Sequence, residues 1–499
     1  MIITNFAENS EKKMNENILK LKPEIFWKNF REITLIPRPS KHEEKVTDFL
    51  LNFGKKFADK SYKDSAGNVI WSKKATIGME NRQPIVLQAH CDMVPQKNED
   101  KKHDFLTDPI STVIDGDFVK ADGTTLGADD GAGVAVIMSV FEDKNLQHPD
   151  IEALITVDEE TGLTGANGLK PNTLSGKMLL NLDSEEDNIF YIGCAGGVNV
   201  HIAKKLEYET VSKDYKCFSV KVADFMGGHS GSDIHKNRPN AVKLLFRFFD
   251  TVNYVKVSSF EGGNMHNAIP REAVATVFVP KTEEENFKNA AKDFQKILSA
   301  EYHKSDPDGK IFIQEIADCK ENTSLTDECF KTVKMLISTI ISGVYAMSAD
   351  MPGLVETSNN LSVAKTENGE LKILCLMRSS SQTQCDYLKG VMKFQSEFLG
   401  AEIKFTDEYP GWQPDTDSVL LKEATMVYEK LFGEKPLVTA IHAGLECGII
   451  TAKHAGMEAL SLGPTMYGVH TPNEKLEIKS VAKFYTLISE ILKNSPEKK

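Results

Sequence analysis

Three short apolar segments of this chain each run directly into acidic or imidazole side chains. The segments are Pro84–His90, Ala153–Val157 and Met178–Leu182. A short apolar run of this kind is typical of a strand that is buried on both faces of a sheet. In open α/β sheets ligands bind at the carboxyl ends of the strands. The repeated pattern therefore predicts an α/β domain with a ligand site where these strands end.

The segments around these strands have helical patterns. Pro23–Leu35 and His42–Phe57 are amphipathic, and Gly131–Phe141 is apolar enough for a buried helix. The link Ile36–Ser40 contains two prolines, which interrupt a helix, and we expect Ser40 to cap the helix that follows. We expect these helices to pack on the sheet of the α/β domain.

The composition changes after residue 197 to Lys-rich strands in which apolar and polar residues alternate. Examples are Phe218–Ala223, Ala273–Val279 and Leu371–Leu376. Alternation is typical of an antiparallel sheet with one solvated face, and the long polar helices between the strands are expected on its other face. The pattern indicates a separate α+β domain.

The α/β signature returns from about residue 406. A helix over Val419–Phe432, a helical run from about Glu446, a strand over Glu458–Leu462 and a last helix over Ile478–Leu492 follow one another. We therefore predict an α/β domain in two segments, residues 1–197 and 406–499. The α+β domain, residues 198–405, is expected to be inserted between them.

The charge balance argues against two classes of partner. The chain carries 72 acids and 59 bases, a formal net charge of −13. Such a balance disfavours binding to nucleic acid and to an anionic membrane surface. No stretch of about 18 apolar residues is present, and Met1–Lys22 has no continuous apolar core. Neither a membrane span nor a secretion signal is expected, and residues 1–13 are expected to form a disordered extension.

The eight cysteines are far apart and include no Cys-x-x-Cys pair; they stand at positions 91, 194, 217, 319, 329, 375, 385 and 447. Neither a thiolate zinc module nor a disulfide framework is indicated by this spacing. We expect reduced thiols and a cytoplasmic location.

A glycine-rich turn, Gly123–Gly133, carries the adjacent acids Asp129 and Asp130 just before the buried helix. One carboxylate can offer an oxygen to each of two divalent ions about 3.5–4 Å apart. We interpret Asp129 as such a bridge. By itself the turn has an alternative interpretation as a solvated acidic loop.

Five residues with nitrogen or oxygen donors complete a candidate ligand set without thiolate: His90, Asp129, Glu160, Asp183 and His470. Donors of this kind suit zinc, manganese or cobalt. Each residue alone would indicate little, because acids and histidines after strands are usually solvated or hydrogen-bonded. The order and the surrounding motifs give the set its meaning.

The motifs in order are Ala89–Asp92, Gly127–Asp130, Asp158–Glu160, Asn181–Asp183 and Gly463–His470, together with Ile36–Glu44, Lys120–Asp129, Gly227–His235, Asn267–Glu272, Val355–Leu361 and His442–Gly448. Over nearly the whole chain this pattern resembles the M20 family of co-catalytic zinc peptidases, and within it the Xaa-His dipeptidases. The resemblance implies an α/β catalytic domain with a di-metal site and an inserted α+β lid domain.

The resemblance also implies the ligands. One metal would be held by His90, Asp129 and Asp183, and the other by Asp129, Glu160 and His470. Asp92 would orient His90 through a hydrogen bond, as carboxylates behind metal-bound imidazoles commonly do. The family further suggests a cis peptide bond between Asp129 and Asp130.

Glu159 precedes the ligand Glu160, and at a strand end the two side chains can diverge. Glu159 is then free to be the general base that takes a proton from the attacking water and passes it to the leaving amine. The alternative is a solvated acid.

Three further site residues follow from the resemblance. His229, after two glycines, would stabilise the oxyanion of the tetrahedral intermediate, either within its own subunit or across a homodimer. Arg378, expected just after the strand Leu371–Leu376, would anchor the free carboxylate of the substrate, and Asn267 would assist. Arg and Asn at such positions are otherwise surface residues.

The expected activity is hydrolysis of unblocked dipeptides, Xaa-His and carnosine-like dipeptides among them, with two divalent ions, most simply Zn²⁺, with Mn²⁺ or Co²⁺ as alternatives. Another amidohydrolase of the same family, such as an N-acyl amino acid deacylase or a broader peptidase, is the close alternative. A non-catalytic binding protein is disfavoured because all five ligands and Glu159 are present.

Overall fold

The computed structural model describes residues 15–319 and 321–498 and divides the chain into two compact units. Unit 1 consists of the chain up to Gly193, Pro414–Ala440 and the chain from Leu445 onward, and unit 2 consists of Cys194–Gln413 and Ile441–Gly444. The extension predicted for residues 1–13 lies outside the described residues. Within the described part, no helix combines the length and the apolarity that a bilayer crossing requires.

Unit 1 contains an eight-stranded sheet with a parallel centre. Its spatial order is Lys60–Lys63, Val69–Lys73, Ile151–Thr156, Ile85–His90, Met178–Asn181, Glu458–Ser461, Ile189–Cys194 and Leu437–Ile441. The third to sixth strands of this order pair in parallel. A four-stranded sheet in the order Met466–Tyr467, Lys475–Glu477, Phe118–Ala121 and Thr112–Asp115 completes the strands of unit 1.

The helices of unit 1 belong to the same α/β pattern: Glu24–Thr34, Glu44–Phe57, Ala128–Glu142, Glu159–Gly162, Thr164–Gly168, Val419–Phe432, Glu446–Lys453 and Ile478–Lys493, with a 3₁₀ turn at Glu16–Lys20. Ala128–Glu142 is apolar on all sides and is buried over nearly its whole length. Val419–Phe432 begins where Ser418 accepts a hydrogen bond from the Leu421 amide and ends at Gly433, which has a left-handed backbone. The α/β fold class is confirmed.

One predicted helix cap is wrong. The second helix begins at Glu44, and the residue before it makes no side-chain cap. Ser40 instead donates its hydroxyl to Asp92 Oδ2 at 2.8 Å. Ser40 lies too far before the helix to cap it, and its hydroxyl instead binds the carboxylate of Asp92 at the end of the strand Ile85–His90.

Unit 2 is built on a nine-stranded antiparallel sheet. Eight strands follow the order Lys310–Glu315, Tyr215–Ala223, Ala273–Pro280, Lys256–Gly262, Val355–Glu367, Glu370–Ser379, Gly196–Lys205 and Glu402–Tyr409, and Gly343–Met347 pairs with Val355–Glu367. Its helices are Ala241–Phe249, Glu284–Glu301, Asp327–Thr339 and Gln382–Phe398, with 3₁₀ turns at Ile234–Lys236 and Lys281–Glu283. Two short pairs join Tyr208–Thr210 to Thr323–Leu325 and Gly228–His229 to Ala268–Ile269.

The four helices and the strands of unit 2 share one apolar core, which is the expected result of alternating strands with one buried face. The unit begins and ends at positions other than 198 and 405. Gly196–Lys205 and Glu402–Tyr409 are neighbouring strands of this sheet, so its pairing extends beyond both positions. Ile441–Gly444, far along the chain, also belongs to unit 2.

Two cysteines depart from the expectation of reduced thiols. Cys217 and Cys319 form a disulfide, whereas the other six cysteines are buried and form no disulfide. Cys217 lies in Tyr215–Ala223, which pairs antiparallel with Lys310–Glu315, and the chain continues from there to Cys319. This pairing brings together two residues that are 102 positions apart in the sequence, a contact that sequence spacing does not show.

Candidate metal centre

Three neighbouring parallel strands of unit 1 end at the same edge of the sheet. In the central strand His90 is in register with Thr156 on one side, and Gln88 is in register with Asn181 on the other. The segments that carry His90, Glu159, Glu160 and Asp183 therefore leave the sheet side by side. This arrangement was predicted from the apolar runs, and it follows from parallel pairing.

The first predicted ligand group is assembled. Ligand atoms of His90, Asp129 and Asp183 lie within 4.8 Å of one another. His90 Nε2 is 3.1 Å from Asp129 Oδ1 and 3.4 Å from Asp183 Oδ1. The three donor atoms are therefore close enough to one another to be candidate ligands of one ion.

The second predicted group is also assembled and shares one residue with the first. Ligand atoms of Asp129, Glu160 and His470 lie within 4.8 Å of one another. His470 Nε2 is 3.1 Å from Asp129 Oδ2 and 2.9 Å from Glu160 Oε2. Asp129 thus turns one carboxylate oxygen toward each group, which is the geometry of a bridging ligand.

The raised pKa values of the two histidines show that the surrounding carboxylates favour positive charge. Burial alone would lower the pKa of His90, but the Asp183 and Asp129 carboxylates raise it well above its ordinary value. Hydrogen bonds to Asp129 and Glu160 raise the pKa of His470 to about 11. Protons on the two imidazoles therefore balance the carboxylates, and divalent ions would take the place of these protons because metal ligands bind deprotonated. The donor chemistry fits two such ions.

Asp92 connects His90 to the turn that carries both glutamates. It is fully buried, with Oδ1 3.2 Å from His90 Nδ1, although the two groups are not aligned as a hydrogen bond. The same carboxylate accepts hydrogen bonds from the backbone amides of Glu159 and Glu160 at 3.1 and 3.3 Å. Burial opposes ionisation of Asp92, but the neighbouring His90, followed by the bonds from the Glu159 amide and the Ser40 hydroxyl, holds its pKa at about 2. Asp92 is an ionised anchor for the strand end.

Glu159 lies beside the ligands. One of its carboxylate oxygens is within 4.8 Å of donor atoms of His90 and Glu160. Glu159 follows Asp158, whose φ of 51° turns the chain sharply, and begins the short helix Glu159–Gly162. Burial raises the pKa of Glu159 well above its ordinary value. A raised pKa makes this carboxylate a stronger proton acceptor than an ordinary glutamate.

The turn at Asp129 has the predicted cis peptide bond to Asp130. Asp130 is fully buried, accepts a hydrogen bond from the Gly133 amide at 2.9 Å and another from the His90 amide at 3.3 Å. A Cβ at Gly133 would collide with the Asp130 carboxylate. Asp130 therefore joins the Asp129 turn to the strand end that bears His90, and glycine is required beside it.

A buried polar ladder that the sequence did not reveal lies across these strands. Glu446 Oε2 accepts hydrogen bonds from Gln88 Nε2 at 2.5 Å and from Thr156 Oγ1 at 2.7 Å, and Asn181 Nδ2 donates to Gln88 Oε1 at 2.6 Å. Glu446 is fully buried, and burial raises its pKa to about 7. The available signal was the polar residue within each apolar run, namely Gln88, Thr156 and Asn181.

The predicted residues of the inserted region lie in unit 2. His229 Nδ1 accepts hydrogen bonds from the amides of Gly231 and Ser232 at 3.2 and 3.1 Å. Its other ring nitrogen, Nε2, therefore carries the proton of the neutral imidazole. Burial, and then the charge of Arg378, lowers the pKa of His229. Asn267 lies beside it, because its carbonyl oxygen accepts a hydrogen bond from the Ser230 amide at 2.8 Å.

Arg378 lies inside the strand Glu370–Ser379 and not after it, which corrects the sequence prediction. The strand continues because Gly196–Lys205 and Val355–Glu367 pair with it on both sides as far as Ser379. Arg378 is buried and donates to Tyr409 Oη at 3.2 Å through Nη1, and its Nε has no hydrogen-bond partner among the described residues.

His442 completes this cluster and received no role from the sequence. Its Nε2 is hydrogen-bonded to Ser358 Oγ at 2.7 Å, and Ser358 is the strand neighbour of Arg378. Burial, reinforced by the charge of Arg378, lowers the pKa of His442 to about 3, so its ring is neutral. A Cβ at Gly231 would collide with the His442 carbonyl oxygen and approach Arg378 Nε to 3.3 Å. The glycine loop of His229 therefore packs against both residues.

Comparison with known proteins gives consistent relatives. Residues 86–494 match the profile of peptidase family M20/M25/M40. The chain is 39% identical over 483 residues to the cytosol non-specific dipeptidase of Escherichia coli (strain K12), covering 96% of this chain and 99% of that relative. The crystal structure of aminoacylhistidine dipeptidase from Vibrio alginolyticus superposes with a TM-score of 0.91 at 38% identity, covering 97% of this chain and 99% of that one. Aminopeptidase PepT from Bacillus cereus ATCC 10987, at 17% identity, TM-score 0.60 and coverage of 95% and 99%, shares the fold.

Proposed function

This chain belongs to peptidase family M20/M25/M40, and we propose that it is a di-metal dipeptidase that hydrolyses the amide bond of unblocked dipeptides, Xaa-His dipeptides among them. One observation carries the proposal: the Asp129 carboxylate faces both ligand groups, with Glu159 beside them. The names of two relatives, a non-specific dipeptidase and an aminoacylhistidine dipeptidase, support this substrate class.

His90, Asp129 and Asp183 would hold one ion, and Asp129, Glu160 and His470 the other. Donor sets of histidine and carboxylate favour Zn²⁺ and also accept Mn²⁺ and Co²⁺. When bound, such a pair polarises the scissile carbonyl and lowers the pKa of the attacking water. Asp92 keeps the His90 strand end and the Glu159–Glu160 turn in register, because it contacts both.

Glu159 is the general base. It takes one proton from the attacking water while oxygen bonds to the scissile carbon. It then delivers that proton to the amide nitrogen as the C–N bond breaks, which releases two amino acids. Its raised pKa suits both halves of this transfer.

His229 and Arg378 recognise the substrate. The neutral His229 ring has Nε2–H free to donate to the oxyanion of the tetrahedral intermediate, in its own subunit or in the partner of a homodimer. Arg378 has an unpartnered Nε and two-pronged geometry suited to the C-terminal carboxylate. Asn267, beside the His229 loop, supplies a further amide contact.

A homodimer has its best support in the helix Gln382–Phe398. Tyr387, Val391, Phe394 and Phe398 are exposed on it by 60%, 38%, 73% and 78%. Their spacing of four, three and four residues forms one apolar seam, as at helix–helix interfaces. Phe394→Glu should convert the dimer mass in light scattering to that of a monomer. An unchanged dimer mass would show that another face makes the contact.

A cytoplasmic location agrees with the name of the Escherichia coli relative. The expected test is activity of protein purified from the cytoplasmic fraction in reducing buffer, compared with oxidised protein. Loss of activity under reducing conditions would argue for an oxidising compartment.

A substrate panel tests the activity. We expect hydrolysis of β-alanyl-histidine and of ordinary dipeptides with free termini, and little or none of N-acetylated dipeptides or of dipeptide amides. Preferential cleavage of N-acyl amino acids would replace the dipeptidase assignment with that of a deacylase.

A further inference from the structure

Glu474 is a buried carboxylate whose partners are all backbone amides. It is 2% exposed. Its Oε2 accepts hydrogen bonds from the amides of Leu126 and Gly127 at 2.7 and 2.9 Å, and its Oε1 from those of Ala128 and Asp129 at 2.7 and 3.3 Å. No lysine or arginine of the described residues forms an ion pair with it within 4.0 Å. Four consecutive amides therefore supply its hydrogen bonds.

The turn before Asp129 is shaped to receive this carboxylate. Gly127 has a φ of 68°, which directs successive amides to one concave side, a known anion-binding arrangement. The carbonyl of Gly127 accepts from the buried Arg38 guanidinium, which also donates to the carbonyls of Cys91 and Asp92 at 3.0 and 2.8 Å. The Glu474 carboxylate thus binds the amides of this turn, and the Arg38 guanidinium binds its Gly127 carbonyl.

Glu474 is only four residues after His470. The intervening chain is a compact turn in which the Thr471 amide donates to the Gly468 carbonyl and the Glu474 amide to the Thr471 carbonyl, at 3.2 and 3.0 Å. The carboxylate therefore joins the His470 turn to the Asp129 turn. These two turns supply Asp129 Oδ2 and His470 Nε2, which are 3.1 Å apart.

We propose that Glu474 is a positioning residue that fixes His470 relative to Asp129 and thereby sets the affinity of the second metal group over that of the first. The inference rests on the proposed function, because both ligand groups must bind metal. The proposed role predicts different effects on the two ligand groups. His470 belongs only to the second group, whereas the first group consists of His90, Asp183 and the shared Asp129. A residue needed only for folding would weaken both groups together.

Glu474→Gln tests the proposal. The substitution keeps the size of the side chain, but an NH₂ group replaces one oxygen and faces two amide donors, so that half of the contact is lost.

Metal-free protein is titrated calorimetrically with Zn²⁺, and both dissociation constants are measured. We expect the second constant to rise about 10–100-fold, as for partners that orient metal ligands, and the first to change several-fold less. High metal concentration should restore kcat. Glu477→Gln, in the strand that follows, is the matched control and should change neither constant.

The outcomes separate the two claims. Wild type that binds fewer than two ions overturns the proposed function together with this inference. Wild type that binds two ions, with Glu474→Gln constants that are unchanged or raised equally, overturns only the role of Glu474. If Glu474→Gln is too unstable to titrate, Glu474→Asp, which shortens the carboxylate arm by one methylene, is titrated with the same two outcomes.

Discussion

The candidate site clusters of the two units contain different kinds of buried ionisable group whose charged form burial disfavours. In unit 1 burial raises the pKa values of Asp183, Glu159 and Glu446. In unit 2 burial lowers the pKa values of His229 and His442, and the charge of Arg378 adds to the effect. The physical cause is the same in both units, because desolvation disfavours whichever form is charged.

The difference indicates what each cluster can bind. In the ligand cluster of unit 1 the carboxyl groups outnumber the imidazoles. Divalent cations would therefore stabilise this cluster by balancing its negative charge. The cluster around Arg378 in unit 2 contains one buried guanidinium, whose Nε has no partner among the described residues, and imidazoles that are neutral. An anion would therefore stabilise this cluster by balancing its positive charge. Under the proposed function, divalent ions would complement the cluster of unit 1, and the free carboxylate of a dipeptide would complement the cluster of unit 2.

The largest expected effect concerns Glu159, the proposed general base in unit 1. Glu159→Gln should keep both ions and the dipeptide bound but lower kcat by about 10²–10⁴-fold, because only the proton transfer is lost. Glu160→Gln, the adjacent residue with the same side chain, should instead lose metal from the second group. Metal content and kcat are measured for both variants. Normal turnover of metal-replete Glu159→Gln would remove Glu159 from the mechanism.

The next prediction tests the proposed carboxylate contact of Arg378 in unit 2. Arg378→Ala should raise KM for free dipeptides by about 100-fold, since a charge-assisted two-pronged contact is lost. Arg247→Ala removes a surface arginine that pairs with Glu301 and serves as the control. If wild type cleaved dipeptides and their amides equally well, Arg378 would not bind the carboxylate.

The neutral imidazole of unit 2 predicts one direction of pH dependence. Between about pH 3 and 6.5 an unfolded chain binds a proton at His442 that the folded chain excludes, so the free energy of unfolding falls as the pH is lowered through this window. His442→Gln should make this decrease in the free energy of unfolding smaller by a few kcal/mol, because each unit of pKa shift corresponds to about 1.4 kcal/mol. Denaturant unfolding at several pH values measures it, with the exposed His201→Gln as control. Equal slopes in all three proteins would mean that His442 is not held neutral.

The buried acid of unit 1 predicts the opposite sign. The pKa of Glu446 is about 7 in the folded chain and about 4.5 when unfolded, so the free energy of unfolding of the metal-free protein falls as the pH rises through that window. Glu446→Gln should remove about 2–3 kcal/mol of this decline. The same unfolding series measures it, and exposed Glu429→Gln should keep the wild-type slope. A wild-type slope in Glu446→Gln would place the titration elsewhere.

The sequence correctly predicted that the segments carrying His90, Glu160 and Asp183 leave the sheet together, because apolar runs of this kind belong to parallel strands and parallel strands end together. The role of these residues as metal ligands stays a prediction. The sequence did not predict the ladder of Gln88, Asn181 and Glu446, because that contact depends on which strands are neighbours and on a helix residue 358 positions after Gln88. Similarly, Arg378 was placed after its strand because only pairing on both sides shows that the strand continues to Ser379. The contact of Glu474 with the Asp129 turn likewise joins residues 345 positions apart.

The most direct test of the central claim is a metal count on the purified chain with activity measured on the same sample. We expect two divalent ions per chain, loss of dipeptide hydrolysis after exhaustive chelation, and its return when Zn²⁺, Mn²⁺ or Co²⁺ is added. Full hydrolysis by demetallated protein would contradict the account.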